Sequence, residues 1–168
     1  VYFNDTVVVE SSLAAANVTT ETVAFGRTPL ESSATTSATV DNPNPTNITV
    51  TAEASGKFSV AADDGSQTIP ANSNRTVNVT YAPSDRDGDA GTLSIETVET
   101  DQVFDVPLNG TGVAPAPVIT DEPEQLQATA GDTDNTAITL ANDGNAELNA
   151  SLTVADPFTV TSSTDILV

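Results

Sequence analysis

Slid along itself by 100 residues, this chain matches without a gap: Thr36, Thr39, Val40, Asn42, Ile48, Phe58 and Val60 fall on Thr136, Thr139, Leu140, Asn142, Leu148, Phe158 and Val160. Self-similarity at a fixed offset is the mark of a module used again. Residues 118–168 correspond to 18–68, so the chain holds one module and the opening half of another. Whatever the module folds into, the second copy is expected to begin the same fold and to stop partway.

Within the first copy, seven segments alternate apolar and polar residues: 22–26, 35–40, 47–54, 58–61, 75–81, 91–98 and 102–108. A period of two places the apolar set on one face of a strand. Val, Ala and Thr dominate these segments, and β-branched side chains suit a pleated, half-buried surface better than a helix. Turn-forming residues separate them: Asn42-Pro43-Asn44-Pro45, Asp63-Asp64-Gly65, residues 70–74, residues 85–91 and Asn109-Gly110. No helical period is sustained. The expected fold class is all-β: tandem Ig-like antiparallel β-sandwiches of seven to eight strands each, the second incomplete. The expected divisions are a strand segment over residues 1–21, an Ig-like domain over 22–113, a short stiff linker over 114–117 around Pro115 and Pro117, and a partial domain over 118–168.

Charge narrows the setting. The net charge of -20 comes from 24 Asp and Glu against Lys57, Arg27, Arg75 and Arg86. Such a surface repels nucleic acid and anionic membranes, so neither is an expected partner. Acid excess, scarce lysine and small core residues together resemble proteins of halophilic archaea, where molar salt shortens the screening length to about 3 Å. Without Cys there is no disulfide framework and no thiolate metal site. No apolar run approaches the roughly 20 residues of a membrane helix. The chain begins with Val1, which reads either as a processed signal peptide or as a fragment. Seven of the 13 Asn sit in Asn-x-Ser/Thr sequons: Asn4, Asn17, Asn47, Asn74, Asn78, Asn109 and Asn149. Alternation turns Asn47, Asn78 and Asn149 outward, so N-glycans and an extracellular or cell-surface location are expected.

Several motifs carry a family resemblance: Val23-Ala24-Phe25-Gly26, the Asn42 turn, Phe58-Ser59-Val60, Ile69-Pro70-Ala71, Val77-Asn78-Val79-Thr80-Tyr81-Ala82-Pro83, Gly91-Thr92-Leu93-Ser94-Ile95 and Val106-Pro107-Leu108-Asn109-Gly110-Thr111-Gly112. Together they resemble the ASPM–SPD-2–Hydin family of Ig-like domains, related to major sperm protein. The resemblance runs strongly over residues 22–113 and weakly over 118–168, where Glu124-Gln125-Leu126 stands in place of Phe-Gly. It implies a sandwich of seven to eight strands, a scaffold role, and repetitive exported proteins among prokaryotic members. It brings no catalytic residues and no cofactor.

The residues themselves point the same way. With neither His nor Cys, a Ser nucleophile would have only Lys57 or a carboxylate as base, and no nucleophile elbow is present. The chain is therefore not expected to be an enzyme. Asp85, Asp87 and Asp89, at alternate positions of an acidic loop with Glu96 twelfth in line, are a candidate Ca²⁺ site, with Ala90 where such a loop wants Gly. Asp132 and Asp134 are a weaker pair. The expected function is a structural subunit or repeat module of an extracellular filament or surface stalk. The alternative is an adhesin-type module binding a sugar or protein, which the absence of Trp and the scarcity of loop aromatics disfavour. In the second copy the inward row of Leu140, Leu148, Leu152, Phe158 and Val160 has no partner strands. Either downstream residues cover it, or another copy donates a strand, for which Phe3, Val7 and Val9 form the available face.

Overall fold

The computed structural model describes residues 13–161 and the backbone of residues 165–167. Strands succeed one another along the chain: β1 (Asn17–Val18), β2 (Val23–Pro29), β3 (Ala34–Asn42), β4 (Ile48–Ala54), β5 (Phe58–Val60), β6 (Ser66–Ile69), β7 (Ser73–Tyr81), β8 (Gly88–Thr97), β9 (Gln102–Val113), β10 (Pro117–Asp121), β11 (Thr139–Asn142), β12 (Asn149–Ser151) and β13 (Asp165–Leu167). β1 to β9 build two sheets, ordered β1-β3-β7-β5 and β2-β9-β8-β4-β6. Alternation decides what lies between them. Ala38, Val40, Val77, Val79 and Tyr81 point inward from one sheet, and Ile48, Val50, Ile69, Leu93, Ile95 and Leu108 from the other. Each large aliphatic chain so buried contributes about 1.5–3 kcal/mol.

Three expectations need correction. The sandwich is not wholly antiparallel: β2 lies parallel to β9, with Val23 opposite Leu108 and Pro29 opposite Val113. The register shifts between Ala24 and Arg27, where Gly26 takes a φ of 64°. Two strands escape the periodicity because they are short or carry a polar residue inward. β1 has two residues, and β6 turns Gln67, buried, beside Ile69 into the core. The segment over 1–21 is not separate from the sandwich in its described part, since Ala16 is buried and Val18 pairs with Val40. Phe3, Val7 and Val9 lie outside the described residues.

The second segment holds two strand pairs. β10 pairs with β11 as β1 does with β3, and β12 with β13 as β4 does with β6. Shifted by 100, Val18 opposite Val40 becomes 118 opposite 140; Val118 is instead opposite Ala141, one residue along. Asn149 opposite Leu167, against Thr49 opposite Thr68, is displaced by one residue in the other direction. The turn after β11 shares two hydrogen bonds with the turn after β3. Asn42 Nδ2 donates to Thr46 O at 2.9 Å and its Oδ1 accepts from Asn44 N at 3.0 Å. Asn142 Nδ2 donates to Ala146 O at 2.8 Å and its Oδ1 accepts from Gly144 N at 3.0 Å.

Candidate functional site at the joint between the segments

The acidic loop between β7 and β8 is organised by the chain's one lysine. Lys57, which precedes β5, places its ammonium 2.7 Å from Asp85 Oδ2 and 2.9 Å from Asp89 Oδ1. Tyr81 donates its hydroxyl to Asp89 Oδ2 at 2.6 Å, and Asp85 Oδ1 accepts from Asp87 N at 3.2 Å. Two of the three candidate Ca²⁺ carboxylates, Asp85 and Asp89, are thus bridged by the Lys57 ammonium. Among the described residues no group of three or more metal-ligating side chains converges, Asp132 and Asp134 included.

Below this cluster the rings of Phe25, Phe58 and Tyr81 pack together, with centroids 4.8 Å apart for Phe58 and Tyr81 and 5.3 Å for Phe25 and Phe58. Gly110 leaves room for the phenol; a Cβ there would stand 2.5 Å from Tyr81 Cε1. Burial and the bond to Asp89 push the Tyr81 hydroxyl from 10.0 up to about 12. Hydrogen bonds to Asp85 and Asp89 hold the Lys57 ammonium above its ordinary range, and Lys57 in turn holds the Asp85 carboxyl below its own. Groups whose pKa rises on folding stabilise the native state below their unfolded values and lose that contribution as pH climbs through the folded ones. Stability is therefore expected to fall between about pH 10 and 12, and the fall should be smaller in Tyr81→Phe, which keeps the ring and loses the proton. Urea unfolding followed by circular dichroism across that range tests it; equal losses in the two proteins would contradict the assignment.

The same loop reaches the second segment. Arg86 Nη1 donates to Asp143 O at 3.0 Å, and Asn145 Nδ2 donates back to Arg86 O at 3.0 Å and to Gly112 O at 2.8 Å. From β2, the Arg27 guanidinium donates to Asn145 O. The connecting residues are held as well. Ala114 N donates to Asn145 Oδ1 at 2.9 Å, Asn145 N to Ala114 O at 3.2 Å, and Ala116 N to Asn142 Oδ1 at 3.0 Å. Gly144 lies so close that a Cβ would meet Ala116 N at 2.5 Å. Residues 114–117, expected as a short stiff linker, are bonded into the joint. Ala14 and Asn44 make a matching pair in the first segment, Asn44 Nδ2 donating to Ala14 O at 3.1 Å and Ala14 N to Asn44 Oδ1 at 2.6 Å.

The other sequence-derived residues fall as follows. Asn17, Asn47, Asn74, Asn78, Asn109 and Asn149 are exposed, and Asn4 lies outside the described residues. Asn17 and Asn74 flank Asp41 in one row across β1, β3 and β7. Asn78 Nδ2, the atom a glycan would take, donates to Asp64 Oδ2 at 2.8 Å. Of the second-copy row, Leu148 is buried, Leu140, Leu152 and Val160 are half-buried, and Phe158 is exposed. Arg27 and Arg86 were not legible as partners of Asn145, since the pairs lie 118 and 59 residues apart along the chain.

These features define an Ig-like sandwich, and the fold has solved counterparts. The ASH / PapD-like domain of human CEP192 superposes with a TM-score of 0.52 at 11% identity, over 66% of this chain and 96% of that one. The Escherichia coli chaperone DraB gives 0.47 at 10%, over 60% and 56%. SSP-19, an MSP-domain protein of Caenorhabditis elegans, gives 0.43 at 9%, over 54% and 94%. The chain spans a little over half the length of DraB. No curated protein matches the sequence. The profile described as Abnormal spindle-like microcephaly-assoc'd, ASPM-SPD-2-Hydin (ASH) matches residues 10–102, more than half of the chain, and the chain belongs to the ASH family.

Proposed function

We propose that this chain is a non-catalytic scaffold segment of an exported, glycosylated assembly, built from tandem ASH modules in which the second copy is completed by further strands. One observation carries the reading. Positions that are buried in the first copy are open in the second: Ala38 is 0% exposed and Ile138 43%, Phe58 4% and Phe158 53%. Among the described residues β11 has no counterpart of the neighbour that β3 has in β7, so an unpaired edge accompanies the open apolar positions. Wet apolar side chains beside an unpaired edge favour strand addition, from later residues of the same chain or from another copy. The partners are accordingly further modules of the same kind. The rings of Phe25, Phe58 and Tyr81 are spent on internal packing, which favours a spacer over a sugar-binding adhesin.

The charge and the exposed sequons support a haloarchaeal, cell-surface setting, with Asn78 the slowest to be modified because Asp64 holds its amide. Material isolated from its host is expected to show a regular repeat by electron microscopy and an intact mass above that of the bare polypeptide. Single particles without a repeat would remove the assembly reading. A bare mass would remove the glycoprotein reading. If strands are donated between copies, deletion of residues 1–9 stops assembly while the first sandwich stays folded.

A further inference from the structure

We infer that Arg27, Arg86 and Asn145 form a clamp that fixes the second segment on the end of the first sandwich, so that residues 13–161 tumble as one body. The end surface bearing the two arginines is thus a joining surface, and its partner is the Asn-Asp-Gly-Asn turn of the following segment. Two of the chain's four cations sit here, in a molecule with 24 acids. Among the described residues neither donates to a carboxylate across the joint: both guanidinium groups reach main-chain carbonyls, of Asn145 and Asp143. A planar, multi-donor cation suits such fixed geometry better than a lysine would. Because the acceptors are uncharged, salt that screens the acidic surface leaves most of this attraction in place.

Three layers of restraint act together. Pro115 and Pro117 limit the backbone of the connection. Asn142 and Asn145 bond the amides of Ala116 and Ala114. The arginines and the Asn145 amide then tie the turn to β2, to the β7–β8 loop and to Gly112. The Lys57 cluster belongs to the device, since it shapes the loop that carries Arg86, and Gly112 N donates to Asp87 O of that loop at 3.1 Å. The clamp stands independently of export or glycosylation. It presents Ile119, Ile138 and Phe158, all exposed, at a set orientation to whatever completes the second copy.

The test uses the full chain in molar salt, aligned in a stretched gel, with amide residual dipolar couplings and relaxation measured by NMR. One alignment tensor is expected to fit residues 23–113 and 139–150 together, with order parameters near 0.85 in both. In Arg27→Ala/Arg86→Ala and separately in Asn145→Ala, two tensors are expected, and order parameters at 139–150 should fall below about 0.6 while β3 and β7 shifts stay in place. Arg75→Ala, which removes the third arginine from its bond to Thr68 O, should behave as the unaltered chain. Two tensors in the unaltered chain would overturn the clamp, as would one tensor in Asn145→Ala. Should the double arginine variant fail to fold, Asn145→Ala decides, because its side chain lies on the other side of the joint.

Discussion

Diluting salt from molar to tens of millimolar is expected to lower the melting temperature by about 10 °C or more, equivalent to roughly 3–5 kcal/mol for a chain of this size. The reason is geometric. Glu53 lies opposite Ser94, and Ser94 opposite Asp105, so two exposed carboxylates stand two strands apart, about 10 Å, on the outer face of the five-stranded sheet. At 1 M salt the screening length is about 3 Å and they barely interact; at 0.01 M it is about 30 Å and each acid feels most of the others. Ion pairs cannot offset this, for those of the described residues belong to Lys57 alone, which meets Asp85 and Asp89 at a partly exposed site. The opposite face is built differently. On that face Thr35, Ser37, Thr39, Thr76 and Thr80 are uncharged, and its carboxylates include Asp41 and Asp64, the latter accepting from Asn78. Circular dichroism melts over NaCl and KCl series should give matching curves at equal ionic strength if screening is the cause. An unchanged melting temperature at low salt would refute the argument.

Asn42→Ala is expected to cost about 3 kcal/mol, and Asn42→Asp more. Asn42 is 1% exposed, and its Nδ2 donates to Thr46 O, Ile69 O and Pro70 O at 2.9, 3.1 and 3.0 Å. Its Oδ1 accepts from both the backbone and the side-chain nitrogens of Asn44, each at 3.0 Å. Asn44 in turn anchors Ala14, so one amide closes the turn, the start of the sandwich and the end of β6. Alanine leaves buried donors and acceptors unpaired, at about 1–3 kcal/mol each before the structure relaxes. Aspartate keeps the acceptor but sets a buried negative charge against three carbonyl oxygens, a cost relieved only when acid protonates it. Urea titrations of the three proteins at pH 7 and pH 4 measure both effects. A loss under 0.5 kcal/mol for alanine, or aspartate no worse than alanine at pH 7, would show that the network does not hold the turn.

How much of this was legible beforehand depends on the distance over which each feature is encoded. β3, β4, β7, β8 and β9 announce themselves because alternation is local, and their observed bounds enclose or nearly match the segments read from the pattern. The Asn42 turn is equally local, its Asn-Pro-Asn-Pro run matching no strand. β6 was hidden because one of its two inward residues is Gln67, which alternation counts as polar.

Pairing is another matter. Period two decides which side chains face inward and says nothing about which strand lies alongside, so the parallel contact of β2 with β9 emerged only when the chain closed on itself. The acidic loop shows the same limit. Asp85, Asp87 and Asp89 read along the chain as a candidate Ca²⁺ loop, and folding brings Lys57, 28 residues before Asp85, against two of them. The charge and the all-β class were determined by the residues and their order, because each depends on composition or on near neighbours. The partner of each strand, the use of the acidic loop and the clamp at Asn145 were decided by tertiary structure, because each joins groups that only a folded backbone brings within hydrogen-bonding distance.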